Sequence, residues 1–280
     1  MAAAYGLVVM DLDGTLVPHR AHGGWGADMV IPPVLVKTLD DLQASGIPVV
    51  VATGRPVWAA LPIVRQLPES DLLWLVASDG AYTHRLRDPS GATCLTLSPE
   101  RAVAAISSLA ASAEFAVEFG TEGYVHTPGF AQDFPSTFIR SADVSELAQI
   151  RTTRLIGRLT PASQESGESG EPGAHLEHAR QALRELDGDG LRYTVFDNGW
   201  IDVVAAAATK ESMAATIAAH HGVAAPRVLV AGDGDNDLGM IRWGGLSIAM
   251  AHAPLHVRDA AGHVAGSPEE LAALLVELHQ

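Results

Sequence analysis

Asp11 and Asp13 stand one residue apart at the end of a short apolar run, Leu7 to Met10, and Gly14 and Thr15 follow at once. Carboxylates so spaced off a strand can bring side-chain and backbone oxygens onto one hard cation, and Gly14 lets the chain turn where a side chain would clash. A second acidic cluster, Gly232-Asp233-Gly234-Asp235-Asn236-Asp237, closes the apolar run Arg227 to Ala231. Thr53 and Gly54 close a third run, Ile47 to Ala52, and Lys210 opens a helical stretch behind Thr209. Together such groups could hold a metal ion and, with a local cation, accept a small anionic substrate. Singly, each has a plain reading: a solvated turn for either Asp cluster, a helix cap for Thr53-Gly54-Arg55, a solvated lysine for Lys210.

The elements that must position these residues follow from the hydrophobic pattern. Leu7 to Met10 reads as a fully buried strand, as do Ile47–Ala52, Leu72–Ala77, Arg227–Ala231 and Leu246–Met250. Helical faces run over Pro33–Ser45, stopped by Gly46, and over Pro56 to about Leu67 with a break expected near Pro62. Thr209 caps a helix over Lys210–His221, a short helix runs on to Trp243, and Ser267-Pro268-Glu269-Glu270 is a capping box for a last helix to about Leu278. Strands alternating with helices predict a parallel sheet, and in open sheets of this kind ligands bind at the carboxyl ends of the strands.

After Ala81 the rhythm changes. Ser98 reads as the cap of a helix to about Ser112; Phe115–Phe119, Gly123–Thr127, Arg154–Leu159 and Leu191–Phe196 read as strands of this stretch, and Trp200–Val204 as a strand that follows it. Pro161–Gly173 is rich in Ser, Gly and Glu and reads as a flexible loop, followed by a helix over His175–Leu186. Helices mixed with alternating strands predict an inserted α+β unit. No internal repeat is present.

Composition narrows the function classes. The chain has 280 residues, 48% of them hydrophobic, enough for a full core in one or two domains. No apolar run reaches ~18 residues, so no membrane span is expected. The start, Met1-Ala-Ala-Ala-Tyr-Gly, lacks a basic segment, and with Cys94 as the single cysteine a cytoplasmic protein is expected. One thiol excludes a Cys-based zinc site. A net charge of −15 argues against nucleic acid as a partner.

Taken jointly, Asp11-Leu-Asp13-Gly-Thr15, Thr53, Lys210 and Asp233–Asp237 resemble the four signatures of the haloacid dehalogenase-like (HAD) phosphohydrolases. The insertion between the second and third signatures, Trp200-Ile-Asp-Val-Val204 and Ala249-Met250 resemble the Cof-type subgroup with its large α+β (C2-type) cap. The resemblance covers about residues 5–81 and 195–280; for the cap it rests on size and position. It implies an α/β fold, a doubly wound parallel sheet over residues 1–81 and 198–280 with a cap domain at 82–197. It also implies Mg2+ held by the Asp11 carboxylate, the Asp13 main-chain carbonyl and the Asp233 carboxylate. Asp11 would be the nucleophile, forming an aspartyl-phosphate, and Asp13 the acid and base. Thr53, Gly54 and Asn236 would hold phosphoryl oxygens, Lys210 would offset negative charge, and Asp237 would orient Lys210 or a metal-bound water. The substrate would be a small phosphorylated metabolite of the sugar-phosphate kind. Its identity and the oligomeric state are not written in these motifs.

A calcium loop needs Gly at the sixth place and Glu at the twelfth; counted from Asp11 these are Leu16 and His22, and from Asp233 they are Leu238 and Gly244. The pairs His19/His22, His175/His178 and His220/His221 join no cysteine. Trp25 reads as a loop anchor, and Arg55 either reaches substrate or pairs with a core carboxylate. The chain departs from the subgroup at Asp79 (usually Asn), Glu211 (usually Gly) and Ala251-His252 (usually Gly-Asn); Asp79 would add negative charge to the phosphate site if it faces there. Two further functions share these residues: a phosphotransferase or mutase using the same intermediate, and a non-catalytic phosphometabolite-binding protein.

Overall fold

The computed structural model describes residues 5–18, 29–130, 137–159, 172–184 and 190–279. These divide into two compact units, Met1–Thr93 with Ala208–Gln280 (the core unit) and Cys94–Ala207 (the inserted unit).

The core unit begins with β1 (Leu7–Asp11), α1 (Pro33–Ala44), β2 (Val49–Ala52), α2 (Val57–Val64) and β3 (Leu73–Ala77), then β4 (Tyr82–Arg85) and β5 (Asp88–Cys94). The inserted unit follows with α3 (Glu100–Leu109), β6 (Glu114–Phe119), β7 (Gly123–His126), β8 (Phe138–Ser141), α4 (Val144–Leu147), β9 (Arg154–Arg158), α5 (Pro172–Arg184), β10 (Leu191–Val195) and β11 (Trp200–Ala205). The chain then returns to the core with α6 (Lys210–His220), β12 (Val228–Gly232), α7 (Leu238–Trp243), β13 (Leu246–Met250), α8 (Leu255–Ala260), β14 (His263–Ala265) and α9 (Pro268–Glu277).

The core sheet runs β14-β13-β12-β1-β2-β3-β4-β5. From β14 to β3 every pairing is parallel. Both faces are buried, because alternate residues of each strand feed opposite cores. Val8, Met10, Val49 and Val51 pack with Leu35, Leu39, Leu271 and Leu275 of α1 and α9. Leu7, Val9, Val50 and Ala52 pack with Ala214, Ile217 and Met240 of α6 and α7. This is the doubly wound parallel sheet that the continuous apolar runs predict.

The edges of the insertion differ from the sequence reading. The division falls at 93/94 and 207/208, not at 81/82 and 197/198. β4 folds back antiparallel on β3, Tyr82 opposite Ala77, and β5 forms the edge beyond it. β5 is exposed and carries Pro89 and Gly91, which suit an edge and hide a strand from pattern reading. At the other end, β11 pairs with β9 and β10, so it belongs to the inserted sheet, β10-β11-β9-β6-β7-β8. That sheet is antiparallel but for β7–β8 and packs one face on α3 and α5 through Phe115, Val117, Leu155 and Ile201.

Two helix starts also differ. Ser98 does not cap α3; Pro99 occupies the cap position without a side-chain bond, two residues after a backbone bridge between Leu97 and Thr152. The helix expected from His175 starts at Pro172, so the end of the expected loop is helical, while residues 161–171 of that loop lie outside the described residues. His19, His22 and Trp25 lie outside them too. Among the described residues no helix is long and apolar enough to cross a membrane.

Candidate active site

The carboxyl ends of β1, β2 and β12 and the start of α6 bring the sequence-predicted groups together. Asp11 is the last residue of β1, paired in register with Ala52 of β2 and nearly inaccessible. Lys210 reaches it because α6 starts where it does. Thr209, in extended conformation, accepts a hydrogen bond from the Ser212 amide, and the Ser212 hydroxyl is bonded in turn by the Thr209 amide, a closed capping box. From this first turn Lys210 Nζ donates to Asp11 Oδ1 at 2.5 Å and to Asp237 Oδ1 at 2.8 Å.

Asp237 is fully buried, and its second oxygen accepts the amides of Asp233 and Gly234, both at 2.9 Å. Its carboxylate thus holds the loop after β12 in shape and aims Lys210. Asp233 approaches β1 only because Gly14 has no side chain. A Cβ there would lie 2.1 Å from Asp233 Oδ2, and Gly14 has φ +86°.

Asp11, Asp233 and Asp237 each offer a carboxylate oxygen within 4.8 Å of the other two. Three carboxylates face one ammonium, so the cluster is short of positive charge. Burial raises the Asp11 pKa well above the ordinary carboxylate range; Asp237 pushes it further, Lys210 pulls it back, and Asp233 adds to the rise. For Lys210, burial works against the charged form, but Asp11, Asp237 and Asp79 outweigh it and hold its pKa above the usual lysine value. An all-oxygen, electron-rich donor set with an excess of negative charge fits a hard divalent cation. Since Asp237 already accepts three hydrogen bonds, Asp11 and Asp233 are the carboxylates best able to contribute.

Asp13 stands outside this trio. Arg55, itself buried, grips it with two bonds, Nε to Oδ2 at 2.7 Å and Nη2 to Oδ1 at 2.5 Å. The open question about Arg55 is thereby answered: it pairs with a carboxylate, and that carboxylate is Asp13. Thr53, buried at the end of β2, accepts the Arg55 amide on its hydroxyl, which retains a proton to donate. Asn236 Nδ2 donates to Asp79 Oδ1 at 3.2 Å, so Asp79 does face the site. His252, just past β13, lies 3.0 Å from Asp233 Oδ2 through Nε2. Sequence reasoning left Asp79 as a negative charge for the phosphate site only if it faced there, and assigned no role to His252, although both follow strand ends. A cavity of about 480 Å3 lies among Thr15, Val17, Met250, His252 and Ser267. Two other histidines pack on one ring: His221 accepts the Trp74 indole N–H at 3.1 Å, and His220 stands edge-on against the same ring.

Comparison with known proteins agrees with this geometry. A curated relative from Bacillus subtilis, the 5-amino-6-(5-phospho-D-ribitylamino)uracil phosphatase YitU, is 24% identical over 274 residues, covering 94% of this chain and 93% of its own. Among solved structures, a haloacid dehalogenase-like hydrolase from Bacteroides thetaiotaomicron superposes with a TM-score of 0.76 at 19% identity, covering 98% of this chain and 99% of its own. The HAD subclass IIB sugar phosphatase BT4131 gives a TM-score of 0.67 at 18% identity, covering 97% of both chains. The sequence profile of the haloacid dehalogenase-like hydrolases matches residues 8–278, nearly the whole chain, and the protein belongs to that family.

Proposed function

We propose that the protein is a magnesium-dependent phosphomonoester hydrolase acting on a small phosphorylated metabolite through an aspartyl-phosphate on Asp11. The observation that carries this reading is the placement of Asp11: buried at a strand end, tied to Lys210 through one oxygen, with Asp233 and Asp237 beside it. The second oxygen lies outside the Lys210 bond and is the nucleophile. It attacks phosphorus as the bond to the leaving oxygen breaks, and Asp13 gives that oxygen a proton. Asp13 then takes a proton from the water that hydrolyses the acyl phosphate. Arg55 bonds both Asp13 oxygens, so a proton reaches or leaves this carboxyl only when one of those bonds opens. Thr53 and the Gly54 amide hold non-bridging oxygens, Asn236 adds a donor, and Lys210 offsets the developing charge. Mg2+ on Asp11, the Asp13 carbonyl and Asp233 would supply further neutralisation of the phosphoryl oxygens.

The relatives named as phosphatases of a ribityl-uracil phosphate and of sugars support a phosphorylated sugar-like substrate. We assign the choice of leaving group to the inserted unit and the reaction to the cytoplasm, in keeping with a single, exposed, free thiol at Cys94. The test is phosphate release from a panel of phosphorylated sugars, polyols and nucleotides with Mg2+. Release from at least one sugar or polyol phosphate, abolished by chelation, is expected; no release from any of them overturns the reading.

A further inference from the structure

We propose that Asp79 sets the site's affinity for phosphate, weakening the binding of substrate and product alike; this rests on the phosphatase reading above. The turn after β3 is held in an unusual shape. Ser78 and Asp79 both adopt left-handed backbone, φ 50° and 53°, a conformation that strains a residue other than glycine. Three contacts hold it there. The Ser78 amide donates to Arg55 O at 2.8 Å, and the Asp79 amide donates to Thr53 O at 3.1 Å. Gly80, at φ +100°, packs so tightly on Thr209 that a Cβ would lie 2.4 Å from its carbonyl oxygen.

This clamp presents the Asp79 carboxylate to the groups assigned to the phosphoryl oxygens. Asp79 Oδ1 accepts the Asn236 amide and lies 3.3 Å from where a Cβ on Gly54 would stand. Its charge also acts on Lys210, after those of Asp11 and Asp237. An incoming phosphomonoester, largely a dianion at neutral pH, therefore meets a fixed negative charge that already occupies one of its donors. Such repulsion acts on any bound phosphate, so it raises KM and speeds product loss without assisting the chemical step.

Asp79→Asn is isosteric, tolerates the left-handed backbone, and can still accept from Asn236, so it removes charge alone. Asp79→Gly adopts φ 53° freely and is the second variant should the first misfold. With p-nitrophenyl phosphate and Mg2+, both should lower KM about tenfold, lower the inhibition constant of inorganic phosphate about equally, and leave kcat unchanged or reduced. Inorganic phosphate should also bind more tightly by calorimetry. KM and phosphate affinity that stay level or worsen in both variants would overturn the proposal. A wild-type chain that releases no phosphate, while the variants still bind inorganic phosphate more tightly, would sink the phosphatase reading and leave the role of Asp79 standing.

Discussion

The core unit buries Lys210 against Asp11 and Asp237 with Asp233 beside them, and the inserted unit buries Arg154 against Glu118. The second cluster is closed. Arg154 bonds Glu118 through Nε at 2.8 Å, Asp202 through Nη1 and the Tyr124 hydroxyl through Nη2, both at 3.2 Å, and Thr153 donates to the other Glu118 oxygen at 2.6 Å. It ties β6, β7, β9 and β11 into one register, with two carboxylates about one guanidinium and Asp202 the more exposed of the two. The first cluster is the more negative, with three carboxylates about one ammonium. A buried charge cluster with partners for all its groups makes structure; one left in deficit is a receptor for a cation and an anionic ester.

Substitutions should separate the two. Asp11→Asn should have the largest effect, lowering phosphate release by at least about a thousandfold without loss of fold, checked by activity and thermal unfolding. The folded pKa of Asp11 lies well above its ordinary 3.8, so its ionisation costs stability that is absent below that pH and grows as pH rises through the raised value. Metal-free Asp11→Asn should therefore match or exceed the wild type in stability at neutral pH. Glu118→Ala should do the reverse, costing about 3–5 kcal/mol by chemical denaturation because it leaves Arg154 buried without its main partner. Mg2+ at a hundredfold over its dissociation constant should stabilise the wild type by about 2.7 kcal/mol, and Asp233→Asn should lose most of that shift in a thermal melt. The smallest effect belongs to the cap of α6: Thr209→Ala should cost about 1 kcal/mol and reduce kcat more than it raises KM, because Lys210 loses its fixed start.

Much of the core was legible because its signals are local. Continuous apolar runs ending in Asp11, Thr53 and Gly232 read as buried strands since both sheet faces are covered. The Thr209 cap placed Lys210 on a helix start. The Ser267 cap also held: its hydroxyl accepts the Glu270 amide, although the Glu270 carboxylate bonds Gly266 instead of closing the box. Strands β4 and β5 were missed because the sequence of β4, Tyr-Thr-His-Arg, is polar and β5, at the edge, needs no apolar pattern.

By itself, the sequence determined the chemical inventory and its order: which carboxylates, hydroxyl and ammonium fall at strand ends, and that an α+β segment separates them. Only the tertiary structure decided who faces whom. It gave Arg55 to Asp13, Asp237 to Lys210, His252 to Asp233 and Asp79 to Asn236. Each of these pairs joins different loops at the sheet edge, and their approach depends on strand order and on a missing Cβ such as that of Gly14. Spacing along a chain carries no measure of either.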